Sequence, residues 1–304
     1  MQKEINNKTI VMYQAFKIPE AFNQVVFSIL TLLYHLEGDF SKIHPVIYTD
    51  NVSKLEKYFP SNLVTIIQVQ PQTLVEFAGP HKYFHRIRHF LIQDCFKQFK
   101  SNILYVDGDT FFLKSPESLV LQISENTSIM HTCEFTLEEG GDFEGVNWLK
   151  IRKLVRENTF KISNKELKIP YSTVMWNAGV LGIDYKNRDS ISDTINLIDA
   201  FLRVSNIFNI EQLAIGYNLQ QITEIKPAED FIFHYWPEDL KIAYNHLIKD
   251  FLEKNELLNL TQLAARAFEV SQIKAELPRI QPNLLDKIKL RLSLIKTVAL
   301  KGSL

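Results

Sequence analysis

Short apolar runs alternate with helical patterns through the first half of the chain. Thr9-Ile10-Val11-Met12-Tyr13 is a near-continuous apolar run, and the stretch from Ala21 to Leu36 that follows repeats its apolar positions at helical spacing. Further runs rich in Val, Ile and Tyr occur at Pro45 to Thr49, Leu63 to Val69 and Asn102 to Val106. Strands that are apolar on both sides belong in the middle of a sheet covered on both faces, so this rhythm predicts an α/β fold, with a Rossmann-like, mainly parallel central sheet flanked by helices.

Between the last two runs, Phe84, Ile87, Leu91 and Cys95 recur at the spacing of a one-faced helix, which predicts a helix over 81–99 leading directly into Asn102-Ile103-Leu104-Tyr105-Val106. Next come a short helix near Pro116 to Ile123, a strand at Ser128 to Cys133 and a polar, Gly-containing loop from Glu138 to Gly145. The second half predicts a strand at Met175 to Asp184, helices at Ser190 to Leu202 and around Glu211 to Leu219, and a strand ending at His234-Tyr235-Trp236. The expected organisation is a catalytic α/β domain over 1–240 and a C-terminal helical tail over 241–304. There is no internal repeat.

Charge alters this picture only at the end of the chain. The whole sequence carries a formal net charge of -1, with Lys+Arg 34 against Asp+Glu 35, so no global positive field points to nucleic acid as a partner. From Arg279 onward, Lys287, Lys289, Arg291, Lys296 and Lys301 face Asp286 alone, while Leu284, Ile288, Leu292, Ile295 and Ala299 form an apolar helical stripe. Such a helix suits either a peripheral contact with an anionic membrane or docking on the protein's own core. The N-terminal stretch lacks the pattern of a signal peptide, and no apolar run reaches the ~18 residues of a membrane span, so the expectation is a cytoplasmic protein, soluble or peripheral at the inner face of the membrane. Cys95 and Cys133 have no metal-binding spacing and are expected as two buried free thiols.

The densest chemistry lies in Val106-Asp107-Gly108-Asp109-Thr110. Residues two apart on a strand point to one face, so Asp107 and Asp109 can converge on one ion at the end of a buried strand, and Gly108 between them lets a ligand approach the backbone. Mg²⁺ and Mn²⁺ take hard oxygen ligands and are commonly held by one or two carboxylates together with substrate phosphate oxygens. Open α/β sheets bind ligands at this carboxyl edge. The plain alternative is a turn with solvated carboxylates.

The Leu104-Tyr105-Val106-Asp107-Gly108-Asp109-Thr110 run resembles the Asp-x-Asp motif of GT-A glycosyltransferases, especially the family 8-like enzymes. Three further segments are similar to that group. Phe84-His85-Arg86-Ile87 resembles its Tyr-x-Arg-Leu pattern, Trp176-Asn177-Ala178-Gly179-Val180-Leu181 its "FNAGVL" strand, and Glu211-Gln212 the acidic-Gln pair near the reacting carbon. The resemblance implies a metal-dependent hexosyltransferase with Mn²⁺ or Mg²⁺, a nucleotide-diphosphate sugar donor, typically a UDP-sugar, and a glycan or lipid-linked acceptor, with a place in cell-surface glycan synthesis. It implies Asp107, Asp109 and His234 as metal ligands. Arg86, Asp107, Gly108, Trp176, Asn177, Ala178 and Gly179 would contact the donor, and Glu211 and Gln212 the reaction centre. The chain departs from the group after His234: Tyr235-Trp236-Pro237 stands where the pattern has Gly and then Lys-Pro-Trp, so that pattern's lysine is not carried over.

Other readings remain open at this level. His234 follows Phe231-Ile232-Phe233 and by itself reads as a core histidine. Arg86 and Arg88 lie two apart on one helix and point apart, which makes one of them a surface charge; the motif favours Arg86 for the site. Asn177 among small residues also fits plain strand packing, and Glu211 at a helix start also fits the helix dipole. Asp107-Gly108-Asp109-Thr110 matches the nucleophile motif of haloacid dehalogenase-like phosphatases, in which Asp107 attacks phosphorus, although that motif normally closes the first strand of its domain. A non-catalytic nucleotide-sugar-binding protein on the same fold is the remaining alternative.

Overall fold

The near-continuous apolar runs become the inner strands of one sheet, as burial on both faces requires. The computed structural model describes residues 8–139, 145–162 and 165–275. Along the chain the first half runs β1 (Thr9–Ala15), α1 (Pro19–Leu36), β2 (Ile43–Thr49), α2 (Ser53–Glu56), β3 (Thr65–Gln68), α3 (Pro71–Ala78), α4 (Arg86–Phe99) and β4 (Ile103–Val106). Then follow β5 (Thr110–Phe112), α5 (Glu117–Val120), β6 (Thr127–Met130), β7 (Cys133–Thr136), α6 (Gly145–Glu157), β8 (Phe160–Ile162), β9 (Lys165–Leu167), β10 (Val174–Trp176) and β11 (Val180–Ile183). The last part comprises α7 (Ser190–Leu202), α8 (Ile210–Ile222), β12 (Glu224–Pro227), β13 (Ile232–His234), α9 (Glu238–Lys254) and α10 (Leu260–Ser271).

The central sheet has seven strands in the order β12-β6-β11-β4-β1-β2-β3. All neighbours are parallel except β11, which runs antiparallel to β4 and β6. Strand alternation separates two cores. Val11, Tyr13 and Ala15 of β1 face α1, α9 and α10, whereas Ile10 and Met12 face Leu91, Ile92 and Cys95 of α4. A third cluster joins α6, α7 and α8 around Leu154, Phe201 and Leu213.

Helix α1 begins at Pro19, whose fixed φ and missing donor suit a first turn, and ends where Glu37 takes the left-handed conformation before Gly38 at φ +85. It is buried on nearly all sides because the sheet covers one face and α9 and α10 cover the other. Tyr34 stacks on Phe268 of α10 at 4.1 Å, and burial of Leu263 in the same contact contributes about 1.5–3 kcal/mol. Residues 241–275 of the expected tail thus form helices that pack on the main core, with Tyr244, Ile248 and Phe251 of α9 among its members. The basic stripe from Leu284 to Ala299 lies outside the described residues, as do 140–144 of the expected polar loop.

Two expected strands are each divided in two. The run at Ser128 to Cys133 leaves the central sheet after Met130 and resumes as β7, and the run at Met175 to Asp184 is β10 followed by β11 with Asn177-Ala178-Gly179 between them. Strands β7 and β10 pair with each other in a small antiparallel sheet beside the central one. The expected helix over 81–99 starts only at Arg86, so Phe84 and His85 precede it. Cys95 is buried and free, as expected, whereas Cys133 is free and exposed.

Candidate active site

Strand β4 ends at Val106 and the chain turns through Asp107-Gly108-Asp109 into β5. A polar seam holds this turn against α1: Ser28 bonds to both Tyr13 at 3.2 Å and Thr110 at 3.1 Å, and the Thr110 hydroxyl donates to the Asp107 carbonyl at 2.7 Å. Gly108 packs so closely on α1 that a Cβ there would lie 3.1 Å from Val25 Cγ2. A larger residue there would have to push the Val25 side chain aside.

Strand pairing delivers the third member. β13 runs antiparallel to β5 with His234 opposite Thr110, and the Tyr235 amide donates to the Asp109 carbonyl at 3.1 Å. One ligand atom each from Asp107, Asp109 and His234 fall within 4.8 Å of one another. Antiparallel pairing of β11 with β4 adds Asn177-Ala178-Gly179, where the Gly179 carbonyl accepts from the Asp107 amide at 2.8 Å.

Asn177 sets the chemistry of His234. Its Nδ2 donates to Glu134 at 3.1 Å and its Oδ1 accepts from the Gly179 amide at 2.9 Å, which fixes the orientation of the amide. The same Oδ1 lies 3.0 Å from His234 Nδ1, so that nitrogen carries the proton and donates. Nε2 is then turned toward Asp109 Oδ1, 3.4 Å away. A lone pair facing a carboxylate is favourable when a cation lies between them, and two carboxylates with one imidazole form a donor set that suits a divalent ion. Gly179 makes room for this ring: a Cβ there would lie 2.3 Å from His234 Cε1 and Nδ1. The three residues therefore fit a dication. Lys241, on the first turn of α9, donates to Asp109 Oδ2 at 2.7 Å.

A second cluster adjoins the first through Arg88. This guanidinium is buried; it donates to the Ala178 carbonyl at 2.8 Å and to Glu211 at 3.1 Å, and lies 3.6 Å from Asp107 Oδ2. Glu211, 3% exposed, also has His85 at 3.9 Å and His89 at 3.7 Å. Burial pushes the Glu211 carboxyl up, but Arg88 and then the two histidines outweigh it and bring its pKa down to about 2. Gln212 donates to Glu134, which thereby joins Gln212 to Asn177 and links the two clusters.

This arrangement of sheet, turn and divided strands has solved counterparts. The galactosyltransferase LgtC, determined with donor and acceptor sugar analogues, superposes with a TM-score of 0.52 at 11% identity over 85% of this chain and 96% of its own. The chain has a GT-A fold. An active-site mutant of LgtC aligns with a TM-score of 0.48 at 13% identity over 69% of this chain and 70% of its own. No protein-family model and no curated protein matches the sequence.

Within the GT-A frame, Asp107, Asp109 and His234 come together, as do Asn177, Ala178, Gly179, Glu211 and Gln212 around them. Trp176 is paired with Cys133 in the small sheet and half-buried against the α4 side of the core. Arg86 is placed elsewhere: its guanidinium donates to both oxygens of Asp199 at 2.7 and 2.8 Å and to the Phe77 carbonyl at 2.7 Å, and it stacks on Phe90. Arg88, and not Arg86, adjoins Asp107 and Glu211. Sequence reasoning weighed Arg88 and set it aside for Arg86, and it missed Glu134 and Lys241. The signal for Arg88 was the buried acid at Glu211, which needs a cation; Glu134 and Lys241 carry no pattern that marks them. Asp107 follows the fourth strand along the chain, a topology unlike that of a phosphatase nucleophile after the first strand.

Proposed function

We propose that this protein is a metal-dependent glycosyltransferase that moves a sugar from a nucleotide-diphosphate donor to a glycan or lipid-linked acceptor. The observation that supports it best is the Asp107-Asp109-His234 constellation at the carboxyl edge of a GT-A sheet, with Arg88-Glu211 and Asn177-Glu134-Gln212 beside it. In this reading Asp107, Asp109 and His234 hold Mn²⁺ or Mg²⁺, which supplies positive charge against the leaving diphosphate when bound.

The chain's own residues do the rest. Asn177 keeps the His234 tautomer that leaves Nε2 free to ligate. Arg88 positions Glu211 and Asp107 together, and Glu211 stays ionised at neutral pH, so it offers a fixed negative charge to a sugar carbon that becomes positive as its bond to the leaving group breaks. Gln212, Asn177 and Glu134 present amide and carboxylate groups suited to sugar hydroxyls.

A UDP-hexose donor, transfer for cell-surface glycans at the cytoplasmic face of the membrane, and peripheral contact through the basic C-terminal stripe complete the proposal. No helix among the described residues is long and apolar enough to cross a membrane. The test is a nucleotide-sugar screen read by nucleoside-diphosphate release with and without Mn²⁺, together with calorimetry of UDP. Metal-dependent UDP binding with turnover supports the enzyme; metal-dependent binding without turnover of any donor points to the non-catalytic alternative, and metal-independent binding removes the metal site.

A further inference from the structure

Two phenylalanines are held at the surface beside the Arg88-Glu211 cluster. Phe208 is 65% exposed and Phe84 is 44% exposed, an unfavourable setting for rings of their size. Both pack on His85: Phe208 edge-on at 4.8 Å and 88°, Phe84 edge-on at 6.3 Å and 80°. His85, with a quarter of its side chain exposed, accepts from Arg88 Nη2 at 3.1 Å and so connects the rings to the buried acid.

The backbone that carries Phe208 is also held. The Tyr83 hydroxyl donates to the Phe208 carbonyl and accepts from the Glu211 amide at 3.4 Å, so one side chain locks the Phe208 backbone to the start of α8. A rigid exposed aromatic beside a polar cluster is a preorganised binding element.

We propose that Phe84 and Phe208, seated on His85, form a platform that takes the apolar face of the acceptor's terminal sugar ring. This rests on the glycosyltransferase reading. Size narrows the occupant: a whole aromatic side chain covers about 150–250 Å² and these two are 65% and 44% exposed, so the patch suits a single ring and falls far short of the ~800 Å² per side of a stable protein partner. A pyranose presents C–H groups on one face, which the negative face of an aromatic ring attracts, and hydroxyls at its edge. With Arg88, Glu211 and Gln212 serving the donor sugar, a ring on the adjacent platform belongs to the acceptor and meets the donor at the polar cluster.

The test is saturation-transfer NMR on the full chain with Mn²⁺ and UDP present, using methyl glucoside, methyl galactoside and methyl N-acetylglucosaminide as probes. At least one glycoside is expected to show strongest transfer at its ring C–H protons. Its dissociation constant should rise about tenfold in Phe208→Ala, and Phe208→Tyr should restore it. The platform is overturned if no glycoside contacts the wild type, if Phe208→Ala binds it equally well, or if Phe208→Ala loses binding to anionic lipid vesicles while glycoside binding persists. UDP calorimetry on the same samples reads the underlying function separately. A wild type that binds no UDP but binds a glycoside through Phe208 sinks the donor reading and keeps the platform.

Discussion

The two carboxylate clusters of the site hold their charges in opposite ways. Asp109 is paired with Lys241, whose side chain is 43% exposed and can relax into water, so an arriving cation can replace it at little cost. Glu211 is paired with Arg88, and their side chains are 4% and 5% exposed. Removing that partner leaves an isolated buried charge. The first cluster is arranged to exchange its cation and the second to keep it, a difference that follows from access to solvent, since both consist of acids beside bases.

The largest effect should come from the exchangeable side. Asp109→Asn replaces a hard anionic ligand by a neutral amide and is expected to lower kcat by about a hundredfold or more, with the fold intact. Calorimetry should find that UDP binding no longer responds to Mn²⁺. If metal dependence survives in Asp109→Asn and in Asp107→Asn alike, the two clusters do not differ as described.

Arg88→Ala probes the fixed side and should cost about 3–5 kcal/mol in urea unfolding, because Glu211 is left buried and unpaired. Arg86→Ala, two residues earlier on the same helix, should cost about 1–2 kcal/mol, since Asp199 is 33% exposed at its side chain and keeps contact with water. Equal losses would erase the distinction between the site arginine and its structural neighbour.

The Glu211 charge also sets a pH dependence. Its carboxyl is brought down to about 2 in the fold from its ordinary 4.5, so its contribution to stability is complete above pH 4.5 and is lost as pH falls from there toward about 2. Glu211→Gln should flatten the thermal-unfolding profile in that window. A wild-type profile with no slope there, or one that Glu211→Gln leaves unchanged, would show the acid is not held as described.

The smallest effect is expected at Lys241. Lys241→Ala removes a solvent-exposed competitor for Asp109 and should tighten binding of Mn²⁺ alone by about two- to fivefold. Weaker Mn²⁺ binding in this variant would mean that the lysine supports the metal site instead of yielding to it.

Much of the fold was legible because a central parallel sheet leaves a coarse signature. Asn102 to Val106 and the acidic turn after it could be placed because buried strands are apolar on both sides and a charged pair at their end interrupts that pattern. Helix α7 was read with its observed bounds, since its apolar face repeats without a break over Ser190–Leu202. The divided strands were not legible. Met175 to Asp184 is apolar or small at most positions, and only pairing shows that β10 belongs to one sheet and β11 to another.

The sequence by itself determined the sheet, its layers and the carboxyl edge where Asp107 and Asp109 sit, because these follow from local periodicity and from the position of two acids after a buried run. Tertiary structure alone decided which arginine lies beside the acidic turn. Arg86 and Arg88 have the same chemistry, and helix geometry says only that they point apart; Asp199 on one side and Glu211 on the other set their partners. It likewise joined His234 to the acids across more than a hundred residues by pairing β13 with β5, and set the His234 proton through Asn177. Such contacts depend on strand register and helix packing, which are fixed by the whole core and leave no mark at the residues they bring together.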